Sequence, residues 1–201
     1  VRTFVVLGMH RSGTSCVAGV LHHSGVYMGT SLTKPWFANP KGGYEDTEWV
    51  KVNARMIAAN GGEWFNPPDQ IKSPGLYEED IRRQVRQSAR EPHWGFKDPR
   101  TILTIDVIHP YLPNPHYIYV TRDLAGIIKS LATRNKWSSA KALWLTGEYL
   151  SRAGRFLQDC GAPVLYVRYE DVLDGNVKQL QEFVGSEIDL SFVDKTLCHH
   201  R

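Results

Sequence analysis

The stretch Gly8-Met9-His10-Arg11-Ser12-Gly13-Thr14-Ser15 gathers glycines, hydroxyls and one strong cation into eight consecutive positions. Two glycines five apart let a backbone curl until its N–H groups face an anion, helped by the positive end of the helix that follows. Apolar residues at Val17, Val20 and Leu21 predict that helix immediately downstream. A nucleotide-phosphate loop would follow its second glycine with Lys and then with a hydroxyl that reaches magnesium. Thr14 stands in the lysine place, and Arg11, before the second glycine, supplies the charge. The pattern therefore predicts an anion site and disfavours ATP held in the usual way. A plain strand-to-helix turn would not need Arg, Ser, Thr and Ser together.

Two further groupings carry weaker signals. Thr121-Arg122-Asp123 follows a β-branched run, with Asp123 read as a helix cap and Ser130 on the helix beyond. A guanidinium at the carboxyl end of a strand can bind a second phosphate, and a neighbouring serine hydroxyl can share it. Taken alone, an arginine and a serine so placed are common. In Tyr166-Val167-Arg168-Tyr169-Glu170-Asp171 a strand ends in an aromatic followed by two acids. A purine can stack there, although Tyr169 alone reads more readily as a half-buried core residue.

The elements that must position these groups alternate along the chain. Short β-branched runs at residues 3–7, 93–96, 116–120 and 163–167 predict strands, and helical periodicity predicts helices over 14–24, 47–59, 78–89, 124–134, 140–158 and 177–184. This is the pattern of an α/β protein, a parallel sheet in three layers with helices on both faces. Ligands of such sheets sit beyond the carboxyl ends of the strands. The long segments 25–44 and 60–75, rich in Gly, Pro and aromatics, read as binding walls. With 201 residues, 24 basic against 21 acidic side chains and 42% hydrophobic residues, the chain suits one globular domain. A net charge of +3 is too weak for a general nucleic-acid or membrane surface, so neither partner is expected. Oligomeric state has no signal. Three widely spaced cysteines, Cys16, Cys160 and Cys198, argue against a disulfide framework or a multi-cysteine zinc site. No apolar stretch approaches the ~20 residues of a membrane helix. The expectation is a soluble, cytoplasmic protein, with a trimmed leader or anchor left open by a chain that begins at Val1.

In combination the groupings resemble the sulfotransferase family, which moves a sulfuryl group from 3′-phosphoadenosine 5′-phosphosulfate to an acceptor and releases adenosine 3′,5′-bisphosphate. His10-Arg11-Ser12-Gly13-Thr14-Ser15 resembles the family's 5′-phosphosulfate loop. Arg122 with Ser130 resembles its 3′-phosphate site, and Arg168-Tyr169-Glu170-Asp171 its late tyrosine-acidic motif. Phe96-Lys97-Asp98-Pro99-Arg100 resembles its lysine-proline segment, which in the cytosolic type carries a catalytic histidine two residues after the lysine; Pro99 stands there instead. The resemblance implies a P-loop NTPase-like fold over residues 1–201, a single domain whose loops 25–44 and 60–75 wall the acceptor side, and it implies no metal. It assigns the donor to His10, Arg11, Ser12, Gly13, Thr14, Ser15, Arg122, Ser130 and Tyr169. Arg201 would reach the 3′-phosphate as a late basic residue does in some relatives.

Transfer to a hydroxyl requires a base, and the histidine is missing. Glu45, in Gly42-Gly43-Tyr44-Glu45-Asp46 at the end of the first long loop, is ranked first, with Asp46 the better helix cap. Asp98 comes second, although an Asp before Pro is also a turn former, and His10 third, since it sits where it would touch the phosphosulfate. Arg11 and Lys97 would stabilise the charge that develops during transfer. The acceptor is read as a small molecule or glycan. Trp36, Phe37, Tyr44, Trp49, Trp64 and Phe65 either stack on it or pack the loops onto the sheet. Arg82, Arg83, Arg86 and Arg90 could meet an anionic acceptor, but a solvated helix face explains them better. The terminal Cys198, His199 and His200 lack the companions of a metal site. The alternatives are a magnesium-dependent phosphotransferase with a degenerate loop, and a nucleotide- or glycan-binding module without catalysis.

Overall fold

Phe4, Val5, Val6 and Leu7 are four successive apolar residues with no exposed surface. A strand can bury every side chain only if both sheet faces are covered and both edges are paired, which is the place of a central parallel strand. In the computed structural model, which describes residues 1–37 and 39–197, β1 (Arg2–Leu7) occupies that place. It pairs in parallel with β2 (His93–Lys97) on one side and β3 (Pro115–Thr121) on the other, and β3 pairs in parallel with β4 (Val164–Arg168). The strand order is β2-β1-β3-β4. The chain leaves β1 toward β2 but returns past it to β3, so the carboxyl ends of β1 and β3 flank the point where the winding reverses. Open α/β sheets bind ligands at that point.

Alternation along the strands divides the core in two. Val5, Leu7, Trp94, Phe96 and Tyr117 face α2 (Thr47–Ala59), α3 (Glu78–Ser88), α5 (Leu124–Asn135) and α6 (Ser139–Asp159). Phe4, Val6, Ile118 and Val120 face α1 (Thr14–His23), α7 (Tyr169–Asp174) and α8 (Lys178–Val184). The three layers are those expected, and each expected strand lies within about one residue of its place. Several short elements went unforeseen. A 3-10 turn, Pro99–Leu103, and the short α4 (Ile105–Ile108) follow β2, and α7 begins at Tyr169, which ends no strand.

The segment 25–44 is fastened more firmly than its composition suggests. Tyr27 bridges to Trp94 and exchanges backbone hydrogen bonds with His93 and Gly95, so it prolongs the sheet past β2. Leu32 bridges to Asp46, and Asp46 caps α2 by accepting from Glu48 N at 2.9 Å while its other oxygen takes Thr30 N at 2.9 Å. Among the described residues no helix is long and apolar enough to cross a membrane. Cys198, His199, His200 and Arg201 lie outside the described residues.

Candidate active site

The loop from β1 to α1 is built by close approach. A Cβ on Gly8 would stand 2.6 Å from Thr14 Cγ2, 2.7 Å from Ser12 Oγ and 2.8 Å from Val120 O, so only glycine lets the loop lie against β3. Gly13 has φ 95°, a left-handed conformation, and a Cβ there would fall 2.3 Å from Tyr169 Cδ2. Arg11, with φ 72°, takes the same conformation without glycine's freedom. Two contacts hold it there: its Nε donates to Ser130 Oγ at 2.8 Å, and Arg122 Nη1 donates to its carbonyl oxygen at 3.2 Å. Arg122 in turn lies over the Tyr169 ring, 5.2 Å from its centre. Arg11, Gly13, Arg122, Ser130 and Tyr169, drawn from four elements, thus form one connected group.

Among the described residues no side chain caps α1, and its first turn holds no acid. Its leading amides keep their donor capacity. Ser12 Oγ is buried at the same loop without a hydrogen-bond partner. An uncapped helix start, an orphaned hydroxyl and two adjacent arginines fit a polyanion. Burial, and then the neighbouring Arg122, lower the pKa of Arg11, as two cations held together require. A cavity of about 120 Å³ opens over this group, with Lys41 and Phe192 also in its lining.

A second and larger cavity, about 540 Å³, lies across the loop. Arg11, Thr14, Ser15 and Asn39 line both. Lys97, the last residue of β2, reaches into it with only 1% of its side chain exposed and donates to Glu45 Oε1 at 2.7 Å and Ser15 Oγ at 3.1 Å. Since Asp46 takes the capping role, Glu45 is left to face this ammonium. Its other oxygen stands 3.9 Å from Arg100 Nη2.

Asp98 is wholly buried and fully engaged. It accepts from Arg100 N at 3.0 Å, from Arg100 Nε at 2.8 Å and from Asn53 Nδ2 at 2.9 Å, and it does not line the cavity. Burial works against the charge on Arg100, but the charge and hydrogen bonds of Asp98 outweigh it and raise the pKa. His10 turns away from the smaller cavity toward the larger, 4.5 Å from the Trp64 ring and 5.7 Å from that of Tyr149. Its Nε2 is buried without a partner. Burial first, then Arg134, Arg100, Lys97 and Arg11, push its pKa well below the ordinary imidazole value, so His10 is neutral at pH 7.

Of the aromatic residues singled out from sequence, Trp36, Phe37 and Trp64 line the larger cavity, with Phe37 87% exposed. Trp49 belongs to the core, stacked on Phe96 at 4.1 Å. The arginines of α3 pair locally, Arg82 with Glu78, Arg83 with Asp80 and Arg86 with Glu79, as a solvated face would. Sequence reasoning gave no role to Arg100, Arg134 or Phe192. Arg134 had a signal, because it lies four residues after Ser130 on the same face of α5; Phe192, far along the chain, had none.

A model of the sulfotransferase family matches residues 3–189. Among solved structures, a sulfotransferase from Alicyclobacillus acidocaldarius is 14% identical, covering 96% of this chain and 87% of its own, with a TM-score of 0.55. The sulfotransferase domain from the curacin biosynthetic pathway is 15% identical, covering 98% and 77%, with a TM-score of 0.54. A sugar kinase from Janibacter sp. HTCC2649 is 11% identical, covering 96% and 99%, with a TM-score of 0.52. At such identities the likeness is one of fold alone, and it spans both transfer chemistries. No curated protein matches the chain.

Proposed function

The chain belongs to the sulfotransferase family, and from that premise we propose that it moves a sulfuryl group from 3′-phosphoadenosine 5′-phosphosulfate to the hydroxyl of a small-molecule or glycan acceptor. The observation that carries this reading is the uncapped start of α1 behind a loop that holds Arg11 and has Thr14 where a nucleotide-phosphate loop has lysine. Residues 1–201 act as one sulfotransferase domain, with loops 25–44 and 60–75 walling the acceptor side.

When bound, the donor supplies an activated sulfuryl group on a phosphate leaving group. Ser12, Gly13, Thr14 and Ser15 receive the phosphosulfate with the α1 amides. Arg122 and Ser130 hold the 3′-phosphate, and Tyr169 supports the purine side. Arg11 and Lys97 offset the charge that develops as the bond from sulfur to the bridging oxygen breaks and the acceptor oxygen–sulfur bond forms. Glu45 takes the acceptor proton, a contribution of roughly 10²–10⁴-fold. Asp98 serves by fixing Arg100. His10 belongs with the acceptor, given its place in the larger cavity. Arg11, Lys97, the loop N–H groups and the positive end of α1 take the charge-neutralising part that magnesium plays in phosphotransfer, so no metal is needed.

Calorimetric titration with adenosine 3′,5′-bisphosphate, beside ATP with and without magnesium, tests the reading. Metal-independent binding that exceeds ATP and collapses in Arg122→Ala is expected. Preference for magnesium-ATP would overturn it in favour of phosphotransfer, and donor binding without transfer to any acceptor would favour a binding module. Glu45→Gln should lower turnover far more than nucleotide affinity.

A further inference from the structure

The larger cavity holds more positive charge than the protein balances. Four cations line it, Arg11, Lys97, Arg100 and Arg134, with Glu45 the one carboxylate among the described residues of the wall. Lys97 is paired with Glu45, and Arg100 is held by Asp98 from below. Arg11 is bound into the loop group through Ser130. Arg134 remains. Among the described residues no carboxylate lies within ion-pair distance of it, and its side chain makes one hydrogen bond, a 3.3 Å contact from Nε to Asn135 Oδ1. Its guanidinium carbon sits 5.3 Å from the centre of the Trp64 ring. A half-buried guanidinium without an anion is costly to keep, and its planar fork of donors matches an oxyanion.

We propose that the acceptor is itself anionic, a hydroxyl compound bearing a carboxylate or another oxyanion that Arg134 receives beside the face of Trp64. The inference rests on the sulfuryl-transfer reading and names the substrate class of the same site. Two observations support it. Burial, followed by repulsion from Arg11, outweighs the attraction of Glu45 and lowers the Arg134 pKa to about 10. That is the state of a cation short of counter-charge. His10, adjacent on the Trp64 ring, is neutral with a buried, unpartnered Nε2. It offers a hydrogen bond to an uncharged part of the acceptor and no second positive charge. The wall thus divides into Arg134 for an anion and Trp64 with His10 for the body that carries it. Glu45, paired with Lys97, would repel the anion and so orients the acceptor with its charged end at Arg134.

The test uses matched probes that differ by one charge: 4-hydroxyphenylacetate against 2-(4-hydroxyphenyl)ethanol, and 4-nitrophenyl β-glucuronide against 4-nitrophenyl β-glucoside. Each is titrated into the protein with and without adenosine 3′,5′-bisphosphate. The anionic member of at least one pair should bind about ten-fold tighter or better. Arg134→Gln should bring the pair within about two-fold and leave the affinity for adenosine 3′,5′-bisphosphate unchanged, while Arg134→Lys keeps part of the preference. Equal binding of both members, no binding of any probe, or a preference that survives in Arg134→Gln would overturn the proposal. So would loss of nucleotide affinity in Arg134→Gln, which would make Arg134 a donor contact. If wild-type protein fails to bind the nucleotide, the sulfuryl-transfer reading fails separately, and the probe comparison without nucleotide still reports on the cavity.

Discussion

Removing Glu45 should destabilise the fold, and removing Lys97 as well should not add to the damage. The Lys97 ammonium is 1% exposed and lies 2.7 Å from a carboxylate that is itself 21% exposed. Breaking a fully buried pair costs about 3–5 kcal/mol, mostly because the survivor stays charged without a partner. In Glu45→Gln the survivor is the ammonium, which keeps only Ser15 Oγ and the new amide oxygen, so a cost of about 3 kcal/mol is expected. In Lys97→Met the survivor is the carboxylate, partly open to water and able to turn to Arg100, so about 2 kcal/mol is expected. The double variant buries no orphan charge and should cost no more than about 2.5 kcal/mol, a coupling of about 2.5 kcal/mol. Urea unfolding of the four proteins measures the cycle, and melting should fall by about 2–4 °C per kcal/mol in a domain of this size. Additive losses, near 5 kcal/mol in the double variant, would refute the description of this pair as a desolvated couple.

Further perturbations have equally definite outcomes. Gly13→Ala places a methyl 2.3 Å from the Tyr169 ring at φ 95°; a loss of about 2 kcal/mol or more in chemical unfolding is expected, together with weakened nucleotide affinity. Asn53→Ala takes one hydrogen bond from the buried Asp98, at 2.9 Å, and the nearer acceptor from the Thr104 hydroxyl, at 2.6 Å; unfolding should show about 2–3 kcal/mol lost, and activity should fall through displacement of Arg100. The lowered pKa of His10 means that the unfolded chain binds its proton first as pH drops. Its contribution is complete above about pH 6.5 and is lost as pH falls from there toward the folded pKa. Measured stability should thus decline on the acid side, and His10→Phe should flatten that decline by up to about 1.4 kcal/mol per pH unit.

What the sequence made legible was what is local in the chain. The loop Gly8–Ser15 announces itself because consecutive residues supply its glycines, its charge and the helix start. The strands announce themselves because burial on both faces demands unbroken apolar runs such as Phe4–Leu7. Glu45 was distinguishable from Asp46 because only one of two adjacent acids can cap a helix. Other features depend on partners far along the chain. Asp98 read as a possible base since nothing near it shows that Asn53, forty-five residues earlier, lies within 2.9 Å of its carboxylate. Asn53 itself reads as an ordinary polar residue in an amphipathic helix. Trp49 and Trp64 are alike in composition, but one stacks on Phe96 inside the core while the other faces the cavity. The helix starting at Tyr169 escaped notice because at 6 residues it is too short for periodicity to reveal.

The loop that both cavities share has a consequence for the order of events. Arg11, Thr14, Ser15 and Asn39 border both chambers. Occupants of the two chambers would share these four neighbours, so transfer between them needs both present at once, and initial-rate plots for the pair should intersect instead of running parallel. The linings also separate what can vary from what cannot. Trp36 and Phe37, at the outer lip, touch only one chamber, so exchanging them retunes the choice of one partner and leaves the other's berth intact.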